Sequence, residues 1–478
     1  MDGGYLAECG KHVTDNLGEL SNLAGKEKPN IMSAERPPLS QIIIYAMGQL
    51  GWSLASFGAA SLLVYFYLPP EASTGALFPT FISQGAILGI ALIGLINFSG
   101  RLFDAITDPI VGNWSDRSTS KFGKRKKFMA IAAVPFALFS FLIFFPPDNG
   151  ESTLNGIWLT VSIFLFYLFM TLYVIPYTAL IGEMGHHPDD RMRISTTASV
   201  TWALGFMIGS NAYALQAYFQ QQQSATSAFQ TTIGIFALIS LVFMLVPVFF
   251  LKESRYCRQS KVETNAFHAV RAVFKNRNFI PFAIADLMYW LALTFIQSGV
   301  GYYVTILMGF PKEQATLFLT ISFLTSLLSY WPVNVIVRRV GKKKTVIAAF
   351  LVFSFIFGLT TISGLLPVSK DVLFYVLSLS SGFPLAVFGI VPMAIIADIL
   401  YQHEADTGEQ HAGMFYAARN LTMKMGISLA NLIFPSLLLL GKSVQNPLGV
   451  QLSTLLAMVF CLAGCLVFMR YRDIRNVS

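Results

Sequence analysis

Between Arg101 and Lys127 the chain reads RLFDAITDPIVGNWSDRSTSKFGKRKK, and the first half of that stretch sets an arginine and two aspartates among apolar residues. Arg101, Asp104 and Asp108 fall at i, i+3 and i+7, so a helix carries all three on one face, with Thr107 beside them. Each charge near the centre of a membrane helix costs about 2.5 to 3.5 kcal/mol, which confines such groups to a bundle interior or a water-filled cavity. Two carboxylates a turn apart repel when both are ionised at low dielectric; a cation between them, or a proton on one, removes the repulsion. Either solution couples an ion to a conformational change. Pro109 leaves the Ala105 carbonyl without its helical donor and offers one more oxygen. The plainer alternative is an Arg101–Asp104 pair that ties helices together, but that pair does not need the second acid.

Two further residues extend the set. Thr171, in MTLYVIPY, places a hydroxyl within reach of a cation held by the second apolar run, although such a threonine also bonds readily to its own backbone. Lys424, in ARNLTMKMGISLA, lies about fourteen residues, or ~20 Å, into the eleventh run, too deep to snorkel and in need of an acidic partner such as Asp104 or Asp108. As a tether between two halves it would also be a gate. Asp286 and Gln297 are weaker candidates, Gln297 as a pocket residue, while Tyr302 and Tyr303 read as interfacial anchors. His403, Glu404, Asp406, Glu409 and His411 form a polar loop with no nucleophile and placed base, so no enzyme is expected and no metal beyond a coupling ion. Cys461 and Cys465, one turn apart with no His or acid nearby, read as packing residues.

The elements that must position these groups follow from composition. Of 478 residues 54% are hydrophobic and only 12% charged, with a mean hydropathy of +0.60, which excludes a soluble domain. Apolar runs of spanning length, ~20 residues each, recur twelve times between 41 and 470, among them 82 to 112, 195 to 218 and 372 to 401. The excess of eight positive charges gathers in alternate loops: Lys121 to Lys127, Arg191 and Arg193, Lys252 to Arg277, and Arg338 to Lys344. That pattern marks the cytoplasmic side, places both termini there and is no signature of nucleic-acid binding. GKRKK at Gly123 recurs as GKKK at Gly341, about 218 residues on, and IPYTALIGE at Ile175 is echoed by VPMAIIAD at Val391. The expected fold is an all-α membrane protein of twelve transmembrane helices, a major facilitator fold of two six-helix halves with its solute site near the midplane. The divisions are a cytoplasmic leader 1–40, a first bundle 41–251, a central loop 252–278, a second bundle 279–470 and a tail 471–478. The leader carries no cleavable signal. The basic clusters, with Arg125 and Lys343 among them, are expected to latch onto acids at helix ends such as Glu183 and Asp398.

RLFDAITDPIVG, SDRSTSKFGKRKKF, IPYTALIGE and ADTGEQHAGMFYAARNLTMKMG together resemble the glycoside-pentoside-hexuronide:cation symporter family, whose familiar members are melibiose carriers, over nearly all twelve runs. The resemblance implies a cation site of Asp104, Asp108 and Thr171 supported by Lys424, and coupling to Na+ or H+ with no cofactor. Melibiose carriers commonly hold Asn where Thr107 stands. Where they bind galactosides with aspartates on the first and fourth helices, this chain has Ser53, after Trp52, and Val174. The resemblance therefore implies a multi-pass carrier of the cell or inner membrane, expected as a monomer, whose partners are a bilayer, a cation and a small organic solute, a sugar or glycoside. DAxTDP and the apolar pocket also resemble the lysophosphatidylcholine symporters, a distant branch, which keeps an amphiphile as the alternative.

Overall fold

The computed structural model describes residues 35–72, 75–87, 89–185, 188–257, 276–407 and 412–472. The leader up to 34, the tail from 473 and the stretch 258–275, with Arg258, Lys261, Arg271 and Lys275, lie outside them, as do Glu409 and His411. The first helix, α1 (Leu39–Tyr67), starts at Pro38, where a proline φ suits a first turn, and ends before Pro69 and Pro70. It widens into a π turn at Gly58–Leu62. Two short hairpins follow, β1 (Glu71–Ala72) with β2 (Gly75–Ala76) and β3 (Ala86–Ile87) with β4 (Ile90–Ala91). The second hairpin turns at Gly89, whose φ of +80° suits glycine, so the helix expected from 82 begins only at Leu92.

Next come α2 (Leu92–Asp116), α3 (Lys126–Leu142) and α4 (Thr153–Met184), the last capped by the Ser152 hydroxyl on Asn155 N. The run expected at 195–218 is two helices, α5 (Pro188–Ser210) and α6 (Ala212–Phe219), broken at Asn211. Then follow α7 (Ala225–Phe250), the single turn α8 (Glu253–Tyr256), α9 (Phe279–Leu307), α10 (Gln314–Val340) and α11 (Lys342–Thr361). The run at 372–401 is likewise divided at Ser381 into α12 (Lys370–Ser380) and α13 (Gly382–Thr407); α14 (Ala412–Leu438) and α15 (Leu448–Phe468) complete the chain.

Among the described residues nine helical stretches are long and apolar enough to cross a bilayer. Large apolar side chains such as Ile106, Trp114, Leu328, Trp331 and Phe355 stand exposed on the outside, as a lipid solvent permits and water does not. This is an integral, multi-pass membrane architecture. Helix α1 packs on α5 and α7, α4 on α2 and α3, α9 on α14 and α15, and α10 and α11 on α13. Close approach between α1 and α7 depends on Gly51, where a Cβ would sit 2.7 Å from the Met244 nitrogen and the Ser240 oxygen. The broadest contact between the earlier and the later helices is α2 against α14, which brings the charged face of α2 to Lys424.

Candidate functional site

On α2 the i, i+3, i+7 spacing does what the helix period requires: Arg101, Asp104 and Asp108 share the face turned to the interior. Asp104 is fully enclosed. Its Oδ1 accepts from Thr171 Oγ1 on α4 at 2.5 Å, and its Oδ2 from Arg101 Nη1 at 3.2 Å. Lys424 Nζ on α14 lies 2.9 Å from Asp104 Oδ2 and 2.5 Å from Asp108 Oδ2. Two cations thus face two carboxylates, which balances the cluster and explains how four charges sit at membrane depth. The Arg101 guanidinium lies 5.2 Å from the Tyr167 ring, and Tyr167 in turn donates to Asn97 at 3.1 Å. Asp108 Oδ1 and Arg101 Nε are buried without a partner. An unpaired carboxylate oxygen beside a second carboxylate and a threonine hydroxyl is a donor set suited to a hard cation.

These groups form one wall of a cavity of about 300 Å³ between the earlier and later helices. Trp52, Val174, Gln297 and Thr171 line it, as the sequence reading places them. Two expected residues stand elsewhere. Thr107 turns its hydroxyl onto the Asp104 carbonyl at 3.1 Å, a bond to its own helix. Ser53 is fully buried, bonded to the Leu50 carbonyl and packed against Gly205; Ser56, one turn on, faces the cavity in its place. The sequence reading missed Trp202, Trp290, Asn420 and Asn431 in the lining. A signal was there: Asn420, Lys424, Ile427 and Asn431 follow a 4-3-4 spacing, one stripe of a helix.

Asp286 pairs with Arg419 at 3.1 Å, both buried, joining α9 to α14. Tyr302 and Tyr303 are not interfacial anchors: both are buried, and Tyr302 Oη donates to the Leu68 carbonyl at 2.5 Å. That bond belongs to a set of ties, all at the end of the bundle opposite the basic loops, between the earlier and the later helices. Lys442 Nζ reaches the Pro69 carbonyl at 3.0 Å and Glu71 at 2.9 Å; Thr316 donates to the Ser210 carbonyl at 2.8 Å; Lys312 donates to Gln220 at 2.5 Å; Ala91 N donates to Ser436 at 3.1 Å. At the basic end no hydrogen bond or ion pair joins the two sets among the described residues. There Arg125 binds Glu183 at 2.6 Å and Asp116 at 2.5 Å, and Glu253 caps α3 through the Arg125 and Lys126 nitrogens at 2.9 and 3.0 Å. Asp398 is held by Lys342 at 2.6 Å, whereas Lys343 bonds to the Met469 carbonyl. The expected acids are engaged, each by a base from its own group of helices.

A multi-pass helical membrane protein with a cavity between two sets of helices has the build of a solute carrier. The chain belongs to the MFS/sugar transport protein family, whose pattern it matches over residues 44–471. It is 24% identical to the isoprimeverose transporter of Lactiplantibacillus pentosus over 66% of this chain and 62% of that protein. It is 22% identical to the sodium-dependent lysophosphatidylcholine symporter 1 of Xenopus tropicalis, over 82% and 83% of the two chains. In fold it is similar to a crystal structure of the nucleoside transporter NupG, with a TM-score of 0.66 and 14% identity over 91% of this chain and 99% of that one.

Proposed function

We propose that the chain is a cation-coupled symporter that moves a small organic solute, a sugar or glycoside, by alternating access. The observation that carries this reading is the balanced cluster of Arg101, Asp104, Asp108 and Lys424 on the cavity wall, contributed by α2 and α14. In this state Lys424 lies where a coupling cation would neutralise both acids. An entering Na+, or a proton on Asp108, takes over that role and releases Lys424, so the ion's arrival loosens the contact between α2 and α14. Asp104, Asp108 and Thr171 hold the ion; Arg101 orients Asp104. The reading is supported by symport in the names of relatives.

We infer twelve spans in two six-helix halves. The nine clear spans are completed by α2, which its charges disqualify, by α3, which is 17 residues long, and by α5 with its polar start. With the basic loops cytoplasmic, the ties at the opposite end close the outer side and the solute enters or leaves from the cytoplasm. The test is uptake into proteoliposomes under imposed Na+ or proton gradients with a panel of labelled glycosides. Uptake that follows one gradient and collapses with an ionophore supports symport; uptake indifferent to both overturns it. The amphiphile reading draws on the apolar wall and the lysophosphatidylcholine relative, and competition by lysophosphatidylcholine but by no glycoside would establish it.

A further inference from the structure

Most polar side chains along the cavity are already committed to the protein. Ser56 donates to the Trp52 carbonyl, Thr178 to Ile175 and Thr294 to Trp290, and the acids are held by Arg101, Thr171 and Lys424. Three carboxamides are not. Gln297 on α9 and Asn420 and Asn431 on α14 line the cavity, and no side-chain hydrogen bond holds any of them among the described residues. Asn431 is only 4% exposed. An amide without an internal partner keeps its donor and acceptor for something that enters. All three amides sit on the later helices. The facing wall, from α1, α4 and α5, is aromatic and aliphatic, with Trp52, Phe166 and Trp202 in it, and Trp202 stacks on Phe206 at 4.4 Å.

We propose that the cavity reads an uncharged, two-faced solute. Gln297, Asn420 and Asn431 take its hydrogen-bonding edge, and Trp52 and Trp202 take its apolar face. The class that fits is a neutral glycoside with an apolar aglycone. In the ion-free state charge is excluded by bookkeeping at the site: Arg101 and Lys424 are engaged by Asp104 and Asp108, so an ionic solute meets no free counter-charge and pays desolvation without return. Amides, with a donor and an acceptor each, match hydroxyls that do both. The C–H face of a pyranose and an aryl ring suit indole faces. A cavity of about 300 Å³, at the lower end of the usual range of ligand pockets, holds one or two rings. Specificity then resides on α9 and α14, while the acids serve the ion.

This inference rests on the reading of the cavity as the solute site, and the experiment separates the two. The purified full chain in nanodiscs, in Na+-free buffer at neutral pH, is titrated with phenyl β-D-glucopyranoside, galactopyranoside and xylopyranoside, with phenyl β-D-glucuronide, with glucose and with lysophosphatidylcholine, following tryptophan fluorescence and thermal stabilisation. At least one neutral aryl glycoside is expected to bind tenfold or more tightly than the glucuronide, glucose and lysophosphatidylcholine. Gln297→Leu and Asn420→Leu, both at positions open to the cavity, each weaken that binding about tenfold. Equal or tighter binding of the glucuronide or the lysolipid, no binding of any aryl glycoside, or unchanged affinity in both Leu variants overturns the proposal. If the binding pattern holds but no gradient drives uptake, the symport reading fails and this one stands.

Discussion

Asp104→Asn and Asp108→Asn remove the same charge from the same cluster, yet their surroundings predict different costs. Asp104 is fully enclosed and accepts from Thr171, Arg101 and Lys424. Its neutralisation leaves Arg101 with no acid in contact and Lys424 with only Asp108, and breaking a buried pair in this way costs about 3 to 5 kcal/mol. The Asp108 side chain is 21% exposed and holds Lys424 alone, which keeps Asp104 at 2.9 Å when Asp108 is neutralised. The loss there is one charge-assisted bond, about 1.5 to 3 kcal/mol. Asp104→Asn should therefore lower the melting temperature of the purified protein clearly more than Asp108→Asn. Adding Lys424→Met to Asp108→Asn restores charge balance through Arg101 and Asp104, so the double variant should be more stable than the sum of the single effects by about 1 to 2 kcal/mol. In proteoliposomes both Asn variants lose gradient-driven uptake but keep solute counterflow. The reasoning fails if Asp108→Asn is the less stable of the two, if the double variant is merely additive, or if either acid can be neutralised with gradient dependence intact.

Three further outcomes follow from the packing. A bismaleimide bridge between Gln220→Cys and Lys312→Cys, at the tied end, should stop transport while leaving solute binding from the opposite side, and uptake that continues at full rate after complete cross-linking would refute the closed end. Neutralising Arg125 unpairs Glu183 and Asp116 and should cost about 2 kcal/mol, whereas Lys343→Ala, whose ammonium meets only a carbonyl, should leave the melting temperature within about half a kilocalorie's effect; the two thermal shifts decide it. Gly51→Val drives a side chain into the α7 backbone, where Met244 N and Ser240 O already lie 2.7 Å from a Cβ, and should cost more than about 3 kcal/mol or abolish expression, a result that normal expression and stability would contradict.

Much of the site was legible because membrane burial leaves few reasons for a charge. Arg101, Asp104, Asp108 and Lys424 could be found by their cost alone, and their mutual contact followed from helical period and depth. Ser53 was misplaced for a local reason: one residue of rotation turns a side chain by 100°, and the missing side chain at Gly205 leaves room for Ser53 in the α1–α5 contact. Thr107 had an alternative acceptor one turn behind it, which its sequence context cannot weigh against an ion. Neutral amides such as Asn420 and Asn431 are inexpensive enough at a cavity edge to escape a search by charge. The breaks at Asn211 and Ser381 fall at short polar steps, Gly-Ser-Asn at 209–211 and Ser-Ser-Gly at 380–382, too brief to interrupt a run of spanning length.

On the proposed cycle, ion binding is an exchange and not an insertion. Lys424 already supplies a positive charge to Asp104 and Asp108, so an incoming cation gains only the difference between its own contacts and those of the ammonium. That difference must be large enough to turn the carrier over. Opening the tied end breaks at least six polar contacts, those of Lys442, Tyr302, Thr316, Lys312 and Ser436, at about 0.5 to 1.5 kcal/mol each. The resulting 3 to 9 kcal/mol brackets the ~5.5 kcal/mol needed to swing a two-state equilibrium from 1:99 to 99:1. Neither ion nor solute has to supply all of it, provided the basic end closes at the same time. Arg125 and Lys342 are already paired within their own groups, so closure there exchanges partners instead of adding ion pairs. The amides of Gln297, Asn420 and Asn431 are uncommitted groups on the later helices, and a solute that bridges them to the aromatic wall supplies contacts that the ion alone does not. On that cycle the ion and the solute each supply part of the difference between the two end states, so turnover calls for both.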